Sequence, residues 1–206
     1  MRKVTFPHMG NLSIALETFF KEMGLETIPP PPNSQKTLDL GVKYAPEFAC
    51  LPLKITIGNF IEAIEKGADT VVMGGGVGPC RFGYYCEVQR EILRELAYDF
   101  DFFVVEPDLK SNIYKINRLF GGMPFRKIYL AGKLAWKKLL ALDEINQLVL
   151  KARSREKEKG IVDYHYKVFL DKIKKAACIE KINSLTEDCK AELNSCLSSP
   201  KRGLEI

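Results

Sequence analysis

A chain of 206 residues, 46% apolar and 28% charged, is long enough for one α/β domain with helical additions and ordinary enough in composition for a folded globular protein. No apolar run approaches the roughly 20 residues that span a bilayer, and the opening MRKVTFPHMG is a poor secretory leader, so the reading is a cytoplasmic protein with no membrane partner. The net charge of +5 is unevenly shared: residues 1–110 hold 11 basic and 15 acidic side chains, and residues 111–206 hold 20 and 11. The basic half suits an acidic partner or phosphate groups, or simply Lys-rich solvated helix faces; nucleic acid is the less favoured partner.

Lys3 to Phe6 reads as a short strand stopped by Pro7. Apolar residues at helical spacing follow from Leu12 to Met23 and end at Gly24. Glu26 to Ile28 is extended and runs into four prolines at 29–32. This β–α–β order opens a doubly wound parallel sheet. Ser34 is placed to cap a helix over Gln35 to Tyr44. Pro46 interrupts, and a further helix begins at Cys50-Leu51-Pro52 and ends at Gly67, because proline suits the first turn. Thr70 to Met73 is a buried strand ending in Gly74-Gly75-Gly76. The stretch GPCRFGYYCEVQREIL turns into a helix reaching about Tyr98, and Asp101 to Val105 is the next strand.

Beyond Ser111 the period is helical, with breaks at Gly121-Gly122, Pro124 and Gly160, and residues 163–197 read as one long helix. The predicted architecture is therefore α/β: a Rossmann-like parallel sheet over residues 1–110, followed by a mainly helical part over residues 111–206.

Six cysteines in a reducing compartment point to metal binding, redox chemistry or packing rather than disulfides. With only two histidines, a mainly histidine-ligated metal site is disfavoured. Cys50 stands before a predicted helix, Cys80 follows a strand and three glycines, and Cys86 lies in the first turns of the next helix. Ligands of open α/β sheets gather at the carboxyl ends of strands, which is where Cys80 falls. Thiolates are soft ligands that hold iron–sulfur clusters, and glycines let backbone amides approach an anionic group; Gly75, Gly76 and Gly78 would supply that approach, with Arg81 offsetting charge.

The spacing leaves alternatives open. A single cysteine is most often a small buried hydrophobe. Three thiols with His8 also suit zinc. The glycines could form a phosphate loop, although GGGVGPC lacks the Lys-Ser/Thr ending of a P-loop. On a continuous helix Cys178, Cys189 and Cys196 would share one side with Ile182, Leu185 and Leu193, which reads as core. Tyr84 and Tyr85 would shield a cofactor or pack on the sheet.

At FPHMGN, EFACLPLKITIGNF and GGGVGPCRFGYYCEVQREIL the chain resembles the 2-hydroxyacyl-CoA dehydratase superfamily. The likeness is nearest to its activase-related branch, the CoA-substrate-specific enzyme activases, and extends to benzoyl-CoA reductases and double-cubane cluster proteins. The resemblance covers roughly residues 1–130. It implies Rossmann-like domains and an oxygen-sensitive 4Fe-4S cluster, or a larger related one, in an anaerobic electron-transfer system. Carried onto this chain, it puts Cys50, Cys80 and Cys86 in the cluster shell and leaves one iron open.

It also implies partners, either an ATP-dependent activator or a second α/β subunit, with a second α/β domain expected where the sequence reaches PKRGLEI, and leaves homo-oligomers open. The implied role is an accessory or electron-transfer component. The alternatives are a catalytic reductase or dehydratase subunit acting on an acyl-CoA or other small molecule, and a metal-free module binding a nucleotide or a protein. No acyl-CoA site and no actin-like ATPase signature can be transferred by motif.

Overall fold

Four short strands align as a parallel sheet in the order β2-β1-β3-β4, the central and longest ones rich in β-branched and aromatic residues. They are β1 (Lys3–Thr5), β2 (Glu26–Thr27), β3 (Thr70–Gly74) and β4 (Asp101–Val105). The computed structural model describes residues 2–76, 82–106 and 121–197. Between the strands run α1 (Leu12–Glu22), α2 (Gln35–Tyr44), α3 (Leu51–Glu65) and α4 (Phe82–Glu95). They are followed by α5 (Phe125–Ala152), α6 (Ile161–Lys175) and α7 (Ile179–Ser195). The fold is mixed α/β, with the parallel sheet in the first half and a mostly helical second half. The chain divides into two compact units, Met1–Ala131 and Gly132–Ile206. Among the described residues no helix is long and apolar enough to cross a membrane.

In the first unit the sheet register pairs Val4 with Thr27 on one side and with Thr70 on the other. The chain steps outward from β1 to β2 and then crosses back to β3, so the direction of winding reverses between β1 and β3. In open sheets such a reversal marks the carboxyl edge at which sites gather. Strand alternation divides the core. Val4, Phe6 and Val72 pack with Phe20 and Met23 on one face. Val71, Met73 and Val104 pack with Ile57, Phe60 and Ile61 of α3 and Leu93 of α4 on the other. Each such side chain contributes about 1.5–3 kcal/mol when fully buried.

Helix α2 begins as its sequence dictates. Ser34 accepts from the Thr37 N–H while the Thr37 hydroxyl accepts from the Ser34 N–H, closing a capping box. The helix then lies hard against α3. A Cβ on Gly41 would stand 1.9 Å from the Lys54 carbonyl oxygen, and one on Gly58 would stand 2.0 Å from that of Thr37. Thr37 also donates to the buried Glu62 carboxylate at 2.6 Å, so a polar bond fixes the same crossing.

Helix ends show what local signals control. After α1, the Gly24 N–H bonds Lys21 O and the Leu25 N–H bonds Phe20 O; after α3, Gly67 and Ala68 repeat the pattern. These are Schellman closures on a left-handed glycine. Helix α4 closes the same way, with Ala97 N–H to Arg94 O and Tyr98 N–H to Leu93 O, but its left-handed residue is Ala97 at φ 57°. The expected helix to Tyr98 therefore stops at Glu95, because an alanine carries no glycine signal into the sequence.

In the second unit the expected single helix over 163–197 is instead two helices, α6 and α7, separated at Ala176–Cys178, where both caps are extended. The two pack together. A straight helix would leave the stripe of Val162, Phe169, Ile173, Ile182, Leu185 and Leu193 in water, whereas folding back buries all six. Lys138 is buried and donates to Lys174 O at 3.1 Å, so a cation meets the carboxyl end of α6. The break also removes Cys178 from the expected stripe: it is exposed at the cap of α7, while Cys189 and Cys196 are buried.

Two substitutions test these constraints by thermal and denaturant unfolding. Gly58→Ala forces α2 off α3 and is expected to cost about 1–3 kcal/mol. Ala97→Gly relieves the left-handed alanine and is expected to gain about 1 kcal/mol.

Candidate functional site

Cys50 is the cap residue of α3, in extended geometry, and its carbonyl accepts from the Leu53 and Lys54 N–H groups at 3.1 and 3.3 Å. Pro52 follows in the first turn, where a missing N–H costs nothing. The thiol is exposed, and it meets the hydroxyl of Tyr85 on α4. Lys54 reaches back to Glu47 O at 3.1 Å, bracing the turn that carries Cys50.

One residue beyond Tyr85 the environment reverses. Cys86 is only 3% exposed, with its sulfur 3.5 Å from Gly83 O. Burial, reinforced by the carboxylate of Glu87, pushes this thiol up from its ordinary value, so it is neutral near pH 7. The sulfur lies against the end of β3: a Cβ on Gly75 would come within 2.7 Å of it and within 2.5 Å of Val104. Gly75 N–H bonds Val105 O at 2.9 Å, and Gly76, at φ 119°, donates to Gly83 O at 3.2 Å. A Cβ on Gly83 would strike Gly76 O at 1.9 Å. Gly75, Gly76 and Gly83 thus join the tip of the strand to the first turn of α4, and no side chain fits between them.

Beside Cys50 lies a pocket of about 270 Å³ whose walls include Pro46, Phe48, Leu53, Tyr84 and Val88. Its lining is apolar apart from the Cys50 thiol and the tyrosine hydroxyls. Such a surface excludes water and accepts a hydrophobic group; among the described residues its lining offers no cation to a phosphate. Phe48 and Tyr84 form its exposed rim, while Tyr85 is buried.

Of the residues singled out by sequence, Cys86 packs on Gly75 beside Gly76, and Cys50 meets Tyr85, the residue before Cys86 on α4. Cys80, Gly78 and Arg81 lie outside the described residues. Among the described residues no three His, Cys, Asp or Glu side chains converge as a metal site. His8 is half-buried after β1, and its N–H donates to the Asn59 side chain at 3.2 Å.

Sequence reasoning missed Asn59 itself. This fully buried side chain of α3 accepts from His8 and donates to Asn33 at 2.9 Å, tying the loops after β1 and β2 to one helix. It also missed Gln89, fully buried on α4, which donates to Thr56 of α3 at 2.6 Å and sets the helix of Cys86 against the helix of Cys50. The available signal was a polar residue inside an apolar run, as in IGNFIEAIE.

A family model described as the CoA enzyme activase uncharacterised domain (DUF2229) matches residues 8–74. That span starts at His8, contains Cys50 and Asn59, and ends with the last residue of β3. No curated protein matches the chain.

The contrast between the two thiols is measurable. Under native conditions at pH 8, iodoacetamide should modify Cys50 and Cys178 about 100-fold faster than Cys86, with the rates converging in denaturant. Peptide mass spectrometry reads the rates, and equal native rates for Cys86 and Cys178 would contradict the packing described.

Proposed function

We propose that the first unit holds a cysteine-ligated iron–sulfur cluster, 4Fe-4S or a larger related one, through Cys50, Cys80 and Cys86. Its role is that of an electron-transfer or accessory component of a 2-hydroxyacyl-CoA dehydratase-like system in the cytoplasm. The observation that carries this reading is the meeting of α3 and α4. It sets Cys50 on Tyr85 and Cys86 on Gly75, bringing two of the three thiol-bearing segments to one end of α4 beside the carboxyl edge of the sheet. The match to a CoA enzyme activase-related domain supports the same assignment.

The donor chemistry fits. Thiols are the preferred ligands of iron–sulfur clusters, and the amino end of α3 favours negative charge where Cys50 sits. Such a cluster supplies one-electron transfer, with a Lewis-acidic iron where a protein ligand is lacking. The chain's own residues would set its surroundings. Phe48, Tyr84 and Val88 exclude water on the side of Cys50. Cys86 must give up a proton that burial retains, so its ligation is favoured as pH rises. Gly75 and Gly76 keep the strand tip free of side chains and close it onto α4. That use of the glycines weakens the reading of a metal-free nucleotide module. An ATP-dependent activator or a second α/β subunit would deliver or receive the electron.

One observation favours a second reading, a catalytic subunit acting on an acyl-CoA or another small molecule: the apolar pocket opens directly beside Cys50. Turnover with reductant and a partner ATPase present would select it.

Iron and sulfide analysis with EPR on anaerobically prepared protein tests the proposal. The expected result is about four irons per site. Cys50→Ser and Cys80→Ser should each lower iron to less than about half of that, and Cys189→Ser, in the second unit, should not. Colourless protein holding zinc and no iron after anaerobic reconstitution would overturn it.

A further inference from the structure

Helix α5 is apolar on two opposite sides. At about 100° per residue, Leu134, Lys138, Ala141, Ile145 and Val149 share one side, and all five are buried. Trp136, Leu140 and Leu150 fall on the other side and are 63%, 48% and 59% exposed. All of these residues belong to the second unit. A helix on the surface of a lone protein turns polar residues outward, so a second apolar side marks an interface.

The charges on that side are ordered along the helix. Lys133 and Lys137 lie before Leu140, and Asp143 and Glu144 lie after it. Among the described residues neither lysine has an ion-pair partner. Glu144 pairs with Lys190 at 2.6 Å, and Asp143 accepts from Gln147 at 3.1 Å.

We propose that this side of α5 is a self-association surface, covered by the same side of a second copy running antiparallel and crossing near Leu140. In that arrangement Lys137 comes alongside Glu144 of the other copy, on the same flank of Leu140, and Lys133 alongside its Gln147. Each contact occurs twice, as an isologous pairing requires. Leu140 meets Leu140 at the two-fold axis, with the Trp136 rings on either side. A parallel copy would set lysine against lysine and carboxylate against carboxylate. A uniformly acidic partner, protein or nucleic acid, would meet Asp143 and Glu144 with like charge. The proposal is independent of any cofactor in the first unit.

Trp136 is the only tryptophan in the chain, so its fluorescence reports directly on this surface. Sedimentation equilibrium of the full chain should show a monomer–dimer equilibrium, with Trp136 emission shifting to the red on dilution. Lys137→Glu and Glu144→Lys should each weaken dimerisation at least about tenfold, and the double reversal should restore it to within about threefold. Trp136→Glu should abolish it with an unchanged circular dichroism spectrum. If Trp136→Glu fails to fold, the charge reversals alone decide. A monomer at every concentration overturns the proposal. So does a dimer unaffected by the single charge reversals, or a Trp136 that becomes shielded only when a different polypeptide is added.

Discussion

Helix α3 has no water-facing stripe along its middle: every residue from Thr56 to Ala63 is buried between α2 and the sheet. A helix enclosed in this way must satisfy each polar side chain it carries, since an unpaired buried group costs about 1–3 kcal/mol. Asn59 does so by holding the loops after β1 and β2, Glu62 by accepting from Thr37, and Thr56 by accepting from Gln89. The burial of one helix thereby sets the positions of two loops and two neighbouring helices. Cys50, at the cap of that same helix, takes its place from this enclosure together with the Lys54–Glu47 bond that braces its turn.

The carboxyl edge of the sheet uses the same economy of space. Gly75, Gly76 and Gly83 allow β3 and α4 to touch at backbone distance, and the space a side chain would fill is taken by the sulfur of Cys86 and a methyl of Val104. Two thiols near one helix end consequently have opposite characters. Cys50 is open to solvent beside an apolar pocket, and Cys86 is held neutral by desolvation. Exposed and buried thiols differ in reactivity and in the cost of becoming ligands, and the ordering follows from packing alone.

The second unit obeys a different rule. Its helices bury their stripes against one another, and α6 and α7 fold back as a pair that buries the apolar side of each. That solution does not extend to the outward side of α5, where Trp136, Leu140 and Leu150 remain exposed. Hydrophobic burial is thus largely complete in one direction and left open in another. The order of charges along the open side distinguishes an antiparallel neighbour from a parallel one.

Capping signals are local, and they were legible. Ser34 began α2, Pro52 and Cys50 began α3, and Gly24 and Gly67 ended α1 and α3, because each acts on backbone groups within a few residues of itself. Where the signal was absent the sequence misled: Ala97 takes a conformation normally left to glycine, and Ala176–Cys178 turn the chain with neither glycine nor proline. By itself, then, the sequence determined the order of elements, the parallel α/β class and the cysteine segments worth attention. Only the tertiary structure decided that Cys50 would meet Tyr85, 35 residues away, and that Cys86 would turn toward Gly75. Contacts of that range depend on how α3 and α4 pack across the sheet, and no pattern within a single segment encodes that packing.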